Sequence, residues 1–205
     1  MGPRSLVLAS ASPARLALLR AAGLAPHVMA SGSGEEGVEG LTAEDAARTL
    51  AERKADAVAA RLAATADPAT LVVGCDSMLS IDGEVRGKPA SADQARDWWR
   101  TQRGRSGTLV TGHAVVDTAT GRRACAVART VVRFGAPSDD ELDAYIATGE
   151  PLVVAGACTI DGYGAPFVDG IDGDHGTVLG LSMPLLRRLL GELGVAITDL
   201  WVATP

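Results

Sequence analysis

Thr70-Leu71-Val72-Val73-Gly74-Cys75 is a continuous run of apolar and small residues that stops at Asp76. It lacks the apolar–polar alternation of a strand with one wet face, so it reads as a strand buried on both faces. Such a strand needs helices over both sides of its sheet, and the rest of the chain supplies them. Leu6-Val7-Leu8-Ala9 is a second buried strand. It passes through Ser10-Ala11-Ser12 into a helix with Ser12 as N-cap, Pro13 at its first position and Gly23 as its stop.

Short apolar runs alternate with helical patterns along the remainder. Pro26 to Ala30 is a weak strand, and Ser31 to Leu41, rich in Gly and Glu, is a loop. Thr42-Ala43-Glu44-Asp45 resembles a capping box and opens a long helix to about Ala64. Asp76 is expected to end the central strand. Asp82-Gly83 marks a hairpin, and Ser91 to Arg103 is a helix carrying Trp98 and Trp99. Val110 to Asp117 and Cys125 to Phe134 form an antiparallel pair around Thr118-Ala119-Thr120-Gly121. Ser138-Asp139-Asp140-Glu141 opens a helix to about Thr148. Val153 to Ile160 is extended, Asp161 to Gly176 is loop, and Ser182 to Leu193 is the last helix. The expectation is a single domain over residues 1–205: an α/β fold with a mixed twisted sheet, flanking helices and two lobes around a cleft.

Composition excludes several classes. A net charge of −6 argues against a general nucleic-acid binder, though not against a small anion in a local basic pocket. No apolar run reaches membrane-spanning length. Cys75, Cys125 and Cys158, odd in number and without paired spacing, suggest reduced thiols and a cytoplasmic setting. The stretch from Arg4 to Ala11 is too short for a secretory leader, and Met1-Gly2 lacks the downstream Ser or Thr of a myristoylation signal.

Four residues stand out as misfits. Arg15 lies in the first turn of its helix, where the macrodipole disfavours a cation. With Ser10, Ser12 and free backbone donors it suits an anion such as phosphate; the competing reading is a solvated side chain. Lys54 falls on the apolar stripe Ala47, Leu50, Ala51, Ala57 and Val58, so it either snorkels past the core edge or aims into a cleft. Asp76, at the expected carboxyl end of a buried strand, can activate water or hold a metal ion; otherwise it is a turn or cap residue. Lys88, stiffened between Gly87 and Pro89, is no P-loop lysine and alone would be an exposed turn residue.

Other signals fall away. Cys75 is expected on the face opposite Asp76, with no His nearby in sequence, which disfavours a nucleophile. Gly32-Ser33-Gly34-Glu35-Glu36-Gly37 matches the dinucleotide string without the strand-to-helix context. Its acids fit a solvated loop or a divalent-metal ligand better. His27, His113 and His175 lack metal-ligand spacing and read as structural or surface residues. Asp169, Asp172 and Asp174 do not match an EF-hand loop.

Taken jointly, these segments resemble the Maf family of nucleoside triphosphate pyrophosphatases. The likeness runs through Leu8-Ala9-Ser10-Ala11-Ser12-Pro13-Ala14-Arg15, Glu35, Arg53-Lys54-Ala55, Gly74-Cys75-Asp76-Ser77 and Gly87-Lys88-Pro89. It continues through Gly104-Arg105, Thr111-Gly112, Ala155-Gly156-Ala157, Ile171-Asp172-Gly173-Asp174 and Val178-Leu179-Gly180-Leu181. The resemblance implies an inosine triphosphatase-like fold and hydrolysis of a nucleoside triphosphate between its α and β phosphates. It implies a divalent cation, magnesium or manganese, with Asp76 and Glu35 as its ligands. It gives Asp76 the role of proton acceptor, with Glu35, Lys54 and Lys88 as further catalytic positions. Ser10, Ser12, Arg15, Ser77 and Asp161 become substrate-binding positions, and a homodimer in the cytoplasm is expected.

Three departures stand beside the match. Gly34 occupies the place of the usual acid before Glu35, and Ser182 interrupts the usual Gly-Leu-Pro run. Asp161 replaces the Gln typical of members preferring thymidine and uridine triphosphates; an ionised carboxylate donates no hydrogen bond, so the base preference stays open. The alternatives are a catalytically silent nucleotide-binding regulator on the same fold, and a kinase or transferase using the same phosphate site.

Overall fold

A computed structural model describes residues 4–34, 36–63 and 70–202. Met1-Gly2, Glu35 and Ala64 lie outside the described residues. The strands are β1 (Ser5–Leu8), β2 (His27–Val28), β3 (Thr70–Ile81), β4 (Glu84–Arg86), β5 (Ser106–Asp117), β6 (Arg123–Phe134) and β7 (Val168–Gly173). The helices are α1 (Pro13–Ala21), α2 (Ala43–Ala63), α3 (Ala92–Gln102), α4 (Asp139–Ala147), α5 (His175–Leu179) and α6 (Met183–Glu192). The sheet runs β2-β1-β3-β5-β6-β7, with β4 paired to β3. It is mixed, as expected: β1 is parallel to β2 and β3, whereas β3–β4 and β6–β7 are antiparallel.

The chain divides into two compact units: Met1–Asp76, Thr111–Ala128 and Gly180–Pro205 form the first, Ser77–Val110 and Arg129–Leu179 the second. In the first unit the double-sided burial is visible residue by residue. Leu6, Leu8, Leu71, Val73 and Cys75 pack with Leu186, Leu189 and Leu190 of α6. Val7, Ala9 and Val72, the alternate positions, pack with Ala51, Ala55 and Val58 of α2. Two glycines let α2 approach so closely. A Cβ on Gly74 would lie 2.3 Å from the Ala51 carbonyl oxygen, and one on Gly112 would lie 2.2 Å from that of Ala47. At both points the helix backbone rests where a side chain would stand.

The second unit gathers most of the scarce aromatics. Trp99 of α3 is fully buried and meets Phe134 and Tyr145 edge-on, with ring centroids 5.6 and 6.0 Å apart. Its indole N–H donates to the Ala157 carbonyl at 2.7 Å. The hairpin at Asp82-Gly83 forms as expected: both residues take positive φ, and Ile81 faces Glu84 across the turn.

Four sequence expectations need correction. β3 does not stop at Asp76 but continues to Ile81, because Leu79 and Ile81 join a second core and Lys54 compensates the charge at Asp76. The segment Asp161–Gly176 is not all loop: Val168–Gly173 is an edge strand paired with β6, Ile171 opposite Val132. Backbone pairing at a sheet edge leaves one side open, so the strand carries no continuous apolar signature. Val153–Ile160 is not extended; tight turns at Glu150–Val153 and Ala155–Ala157 follow from Pro151 and from Gly156 at φ +66°. β5 and β6 begin earlier than expected, at Ser106 and Arg123; both first residues are exposed and polar, and the residues after them are buried.

Candidate active site

β1 leads directly into the first cluster. Beyond its end, the Ala9 N–H bonds the Val73 carbonyl of β3 at 2.8 Å, extending the parallel ladder to the edge of the Ser10 turn. Ser10 is buried, and its hydroxyl accepts from the Ser12 N–H at 3.2 Å. Ser12 is the N-cap of α1, accepting the Arg15 N–H at 3.4 Å, and Pro13 follows at the first helical position. Arg15 avoids the dipole penalty by leaving the helix axis. Its Nε donates to the Gly180 carbonyl at 2.8 Å and a terminal nitrogen donates to the Ser10 hydroxyl at 3.1 Å. Gly180 takes φ +100°, a conformation that favours glycine, and a Cβ there would also crowd that same Nε at 2.8 Å.

The second cluster is an ion pair. Lys54 sits on the sheet-facing side of α2, between buried Ala51 and Ala55, and its ammonium bonds the Asp76 carboxylate. The lysine side chain is 13% exposed and the aspartate 8%, so the pair is largely withdrawn from water. The helix stripe was legible in the sequence, with Ala55 rather than Ala57 as its buried member. Val72, Gly74 and Asp76 share one face of β3. The contact between Gly74 and the α2 backbone therefore sets the distance that Lys54 must span.

Cys75 lies on the opposite face, fully buried in the α6 core, as expected. Burial pushes its thiol up to about 11, so it is protonated at neutral pH and no nucleophile. The charges of Arg15, Asp76 and Lys54 all act on this thiol, which places both cations and the acid around one stretch of β3.

The second unit carries Ser77, Lys88 and Asp161. Ser77 is half-buried on β3, and Lys88 is exposed while Pro89 beside it is buried. The loop before Lys88 is fastened by the Gly156 N–H, which donates to the Gly87 carbonyl at 2.9 Å. Asp161 is exposed on a loop held by Glu150. The Glu150 carboxylate accepts the Thr159 hydroxyl, the Tyr163 N–H at 3.0 Å and the Gly164 N–H at 2.9 Å. Its partial burial raises its pKa, but those hydrogen bonds outweigh burial and hold it below the usual glutamate value. Glu150 gives no signal in the sequence beyond its place between Gly149 and Pro151. His113, read from sequence as structural or surface, is fully buried.

Glu35 lies outside the described residues. Among the described residues no group of three His, Cys, Asp or Glu side chains could hold a metal ion. No described helix is long and apolar enough to cross a membrane.

The mixed α/β sheet thus brings Arg15 beyond the end of β1, Lys54 of α2 and Asp76 within β3 to one stretch of the first unit, an arrangement suited to a polyanion. A family model described as Maf-like protein matches residues 5–193, and the chain belongs to that family. A Streptomyces coelicolor protein named nucleoside triphosphate pyrophosphatase is 61% identical over 198 residues, covering 97% of this chain and 95% of that protein. Proteins of the same name from Salinispora tropica and Rhodococcus erythropolis are 57% and 51% identical, covering 97% and 96% of this chain and 88% and 96% of their own lengths. A solved nucleoside-triphosphatase / dITP/XTP pyrophosphatase from Mycobacterium abscessus covers 92% of this chain and 94% of its own at 15% identity, with a TM-score of 0.42.

Proposed function

We propose that the chain hydrolyses nucleoside triphosphates between the α and β phosphates, releasing a monophosphate and pyrophosphate. The observation that carries this reading is the grouping of Arg15, Lys54 and Asp76 about one stretch of β3. A triphosphate carries roughly four negative charges near neutral pH, and fixed cations stabilise the charge that builds on the departing pyrophosphate. The Arg15 guanidinium, oriented by Gly180, and the hydroxyls of Ser10 and Ser12 bind phosphate oxygens at the α1 N-terminus. Lys54 holds the Asp76 carboxylate in place and turns its remaining donors to phosphate. Asp76 takes the proton of the attacking water as the new P–O bond forms and the α–β bridge breaks. Lys88 and Glu35 are further catalytic positions in this reading, and Ser77 and Asp161 contact the nucleotide.

Asp76 also suits magnesium or manganese, which bind through one or two carboxylates and fill their coordination with water and substrate phosphates. Asp76, with Glu35, would hold the ion, which would neutralise phosphate charge when bound. The reading includes a homodimer, a cytoplasmic setting in which Cys75, Cys125 and Cys158 stay reduced, and no nucleic-acid partner.

The test is pyrophosphate release from a panel of standard and modified nucleoside triphosphates with magnesium or manganese. Asp76→Asn is expected to lower turnover by at least about 100-fold with nucleotide still bound, as for loss of a general base. Tight binding without turnover of any nucleotide would point instead to a silent regulator, and orthophosphate release or transfer to an acceptor to a kinase or transferase.

A further inference from the structure

His113 lies on β5, fully buried, and both ring nitrogens are engaged. Nε2 accepts the backbone N–H of Ser182 at 2.8 Å, so it carries no proton. Nδ1 stands 3.0 Å from the Thr111 carbonyl, which can only accept, so Nδ1 carries the proton. The imidazole is therefore neutral and fixed in one tautomer. Its partner, Ser182, is the N-cap of α6 and accepts the Leu185 N–H at 3.3 Å. Two residues upstream is Gly180, whose carbonyl receives the Arg15 Nε. Leu181 between them is fully buried in the core. The short segment 180–182 is thus fastened by Arg15 at one end and by His113 at the other.

We propose that His113 is a positioning residue for Arg15: by holding the Ser182 N–H it fixes the Gly180 carbonyl, and that carbonyl sets the direction of the guanidinium. Between the His113 ring and the guanidinium the relay runs through backbone alone, from the Ser182 N–H to the Gly180 carbonyl. Moving Ser182 moves Gly180, two residues away, and with it the carbonyl that accepts the Arg15 Nε at 2.8 Å. The inference rests on the reading of Arg15 as a phosphate ligand, and the experiment separates the two.

His113→Leu and His113→Gln are made alone and with Arg15→Ala. Steady-state pyrophosphate release is followed with the best nucleotide of the panel, and inorganic tripolyphosphate is titrated as a competitive inhibitor. His113→Leu is expected to raise KM and the tripolyphosphate inhibition constant about tenfold, the low end for a disturbed hydrogen bond to a charged group, while kcat stays within about twofold. His113→Gln places a carbonyl oxygen where Nε2 was and restores both constants. In the Arg15→Ala background His113→Leu adds nothing. His113→Asn keeps a donor toward Thr111 but falls short of Ser182, and serves if the leucine variant does not fold. A lower melting temperature with unchanged KM and inhibition constant would make His113 a core residue only and overturn the proposal. If Arg15→Ala itself leaves both constants unchanged, the phosphate reading of Arg15 fails and the inference falls with it. An effect of Arg15→Ala without one of His113→Leu removes the inference alone.

Discussion

Gly74→Ala adds one methyl group to a buried strand, a change that normally favours β-structure. Here the new Cβ would stand 2.3 Å from the Ala51 carbonyl oxygen, 2.7 Å from the Ala55 nitrogen and 3.0 Å from the Ala55 Cβ. Two of these atoms belong to the α2 backbone, so no rotamer change relieves the clash. α2 has to lift by roughly 1 Å to restore van der Waals separation, which pulls its Val58 away from the core it shares with Val7 and Val72 of the sheet. Overpacking of this kind costs about 1–3 kcal/mol, and a backbone obstacle places it near the top of that range. For a chain of this size, about 3 kcal/mol lowers the melting temperature by about 6–12 °C. The same lift draws Lys54 away from Asp76, and misplacement by about 1 Å lowers a rate by about 100-fold. Thermal unfolding and pyrophosphate release are measured side by side. Gly191→Ala is the control: it lies in α6 with nothing within 4 Å of its Cβ position, so alanine there should stabilise by about 0.4–1 kcal/mol. A Gly74→Ala protein with parental melting and rate would refute the packing argument. A destabilised protein of full activity would show that the Gly74 approach does not set the position of Lys54.

The acid response of Glu150 has a definite sign. Its folded pKa lies below the ordinary 4.5, so its stabilisation is present above that value and is lost as pH falls through the depressed one. Glu150→Gln should therefore melt lower than the parent at neutral pH, with the difference shrinking below pH 4.5; a difference constant through acid would contradict this. The cysteines separate by burial: iodoacetamide at about pH 8 should label exposed Cys125 in the native protein, and Cys75 and Cys158 only after unfolding, since burial pushes those two to about 11 and about 12. Mass spectrometry of the labelled peptides decides it. Cys75→Ala should keep its activity, and loss of turnover in a folded variant would restore a role for the thiol.

Local physics made much of this molecule readable. The apolar runs of β1 and the start of β3, the N-caps Ser12 and Ser138, and the Asp82-Gly83 turn depend on neighbours a few residues away. What escaped depends on distant partners. β7 exists because β6 offers it backbone groups, and its own side chains give no period. β3 runs past Asp76 because a lysine 22 residues earlier meets the carboxylate, and no rule of strand propensity contains that lysine. The candidate site divides the same way. Arg15, Lys54 and Asp76 were visible as misfits, each a charge where its element disfavours one. Gly180, His113 and Glu150 act through backbone carbonyls and amides, and a backbone group has the same identity at every position of a sequence.

Lys54 and Asp76 show why a misfit is informative. Withdrawing an ammonium and a carboxylate from water costs several kcal/mol each, and their attraction does little more than offset that loss. The fold alone would do as well with carbon in both places. Replacing the pair together, Lys54→Met with Asp76→Leu, should leave stability unchanged or raise it by about 1–4 kcal/mol, as for other buried pairs exchanged for apolar residues of similar volume. Lys54→Met alone strands a carboxylate that is 8% exposed and should cost about 3–5 kcal/mol. Urea unfolding orders the three proteins, and pyrophosphate release from the double variant should be absent. A double variant much less stable than the parent would mean that the pair is retained to hold β3 to α2. The stable but inactive outcome would mean that the fold carries this pair for the sake of the reaction.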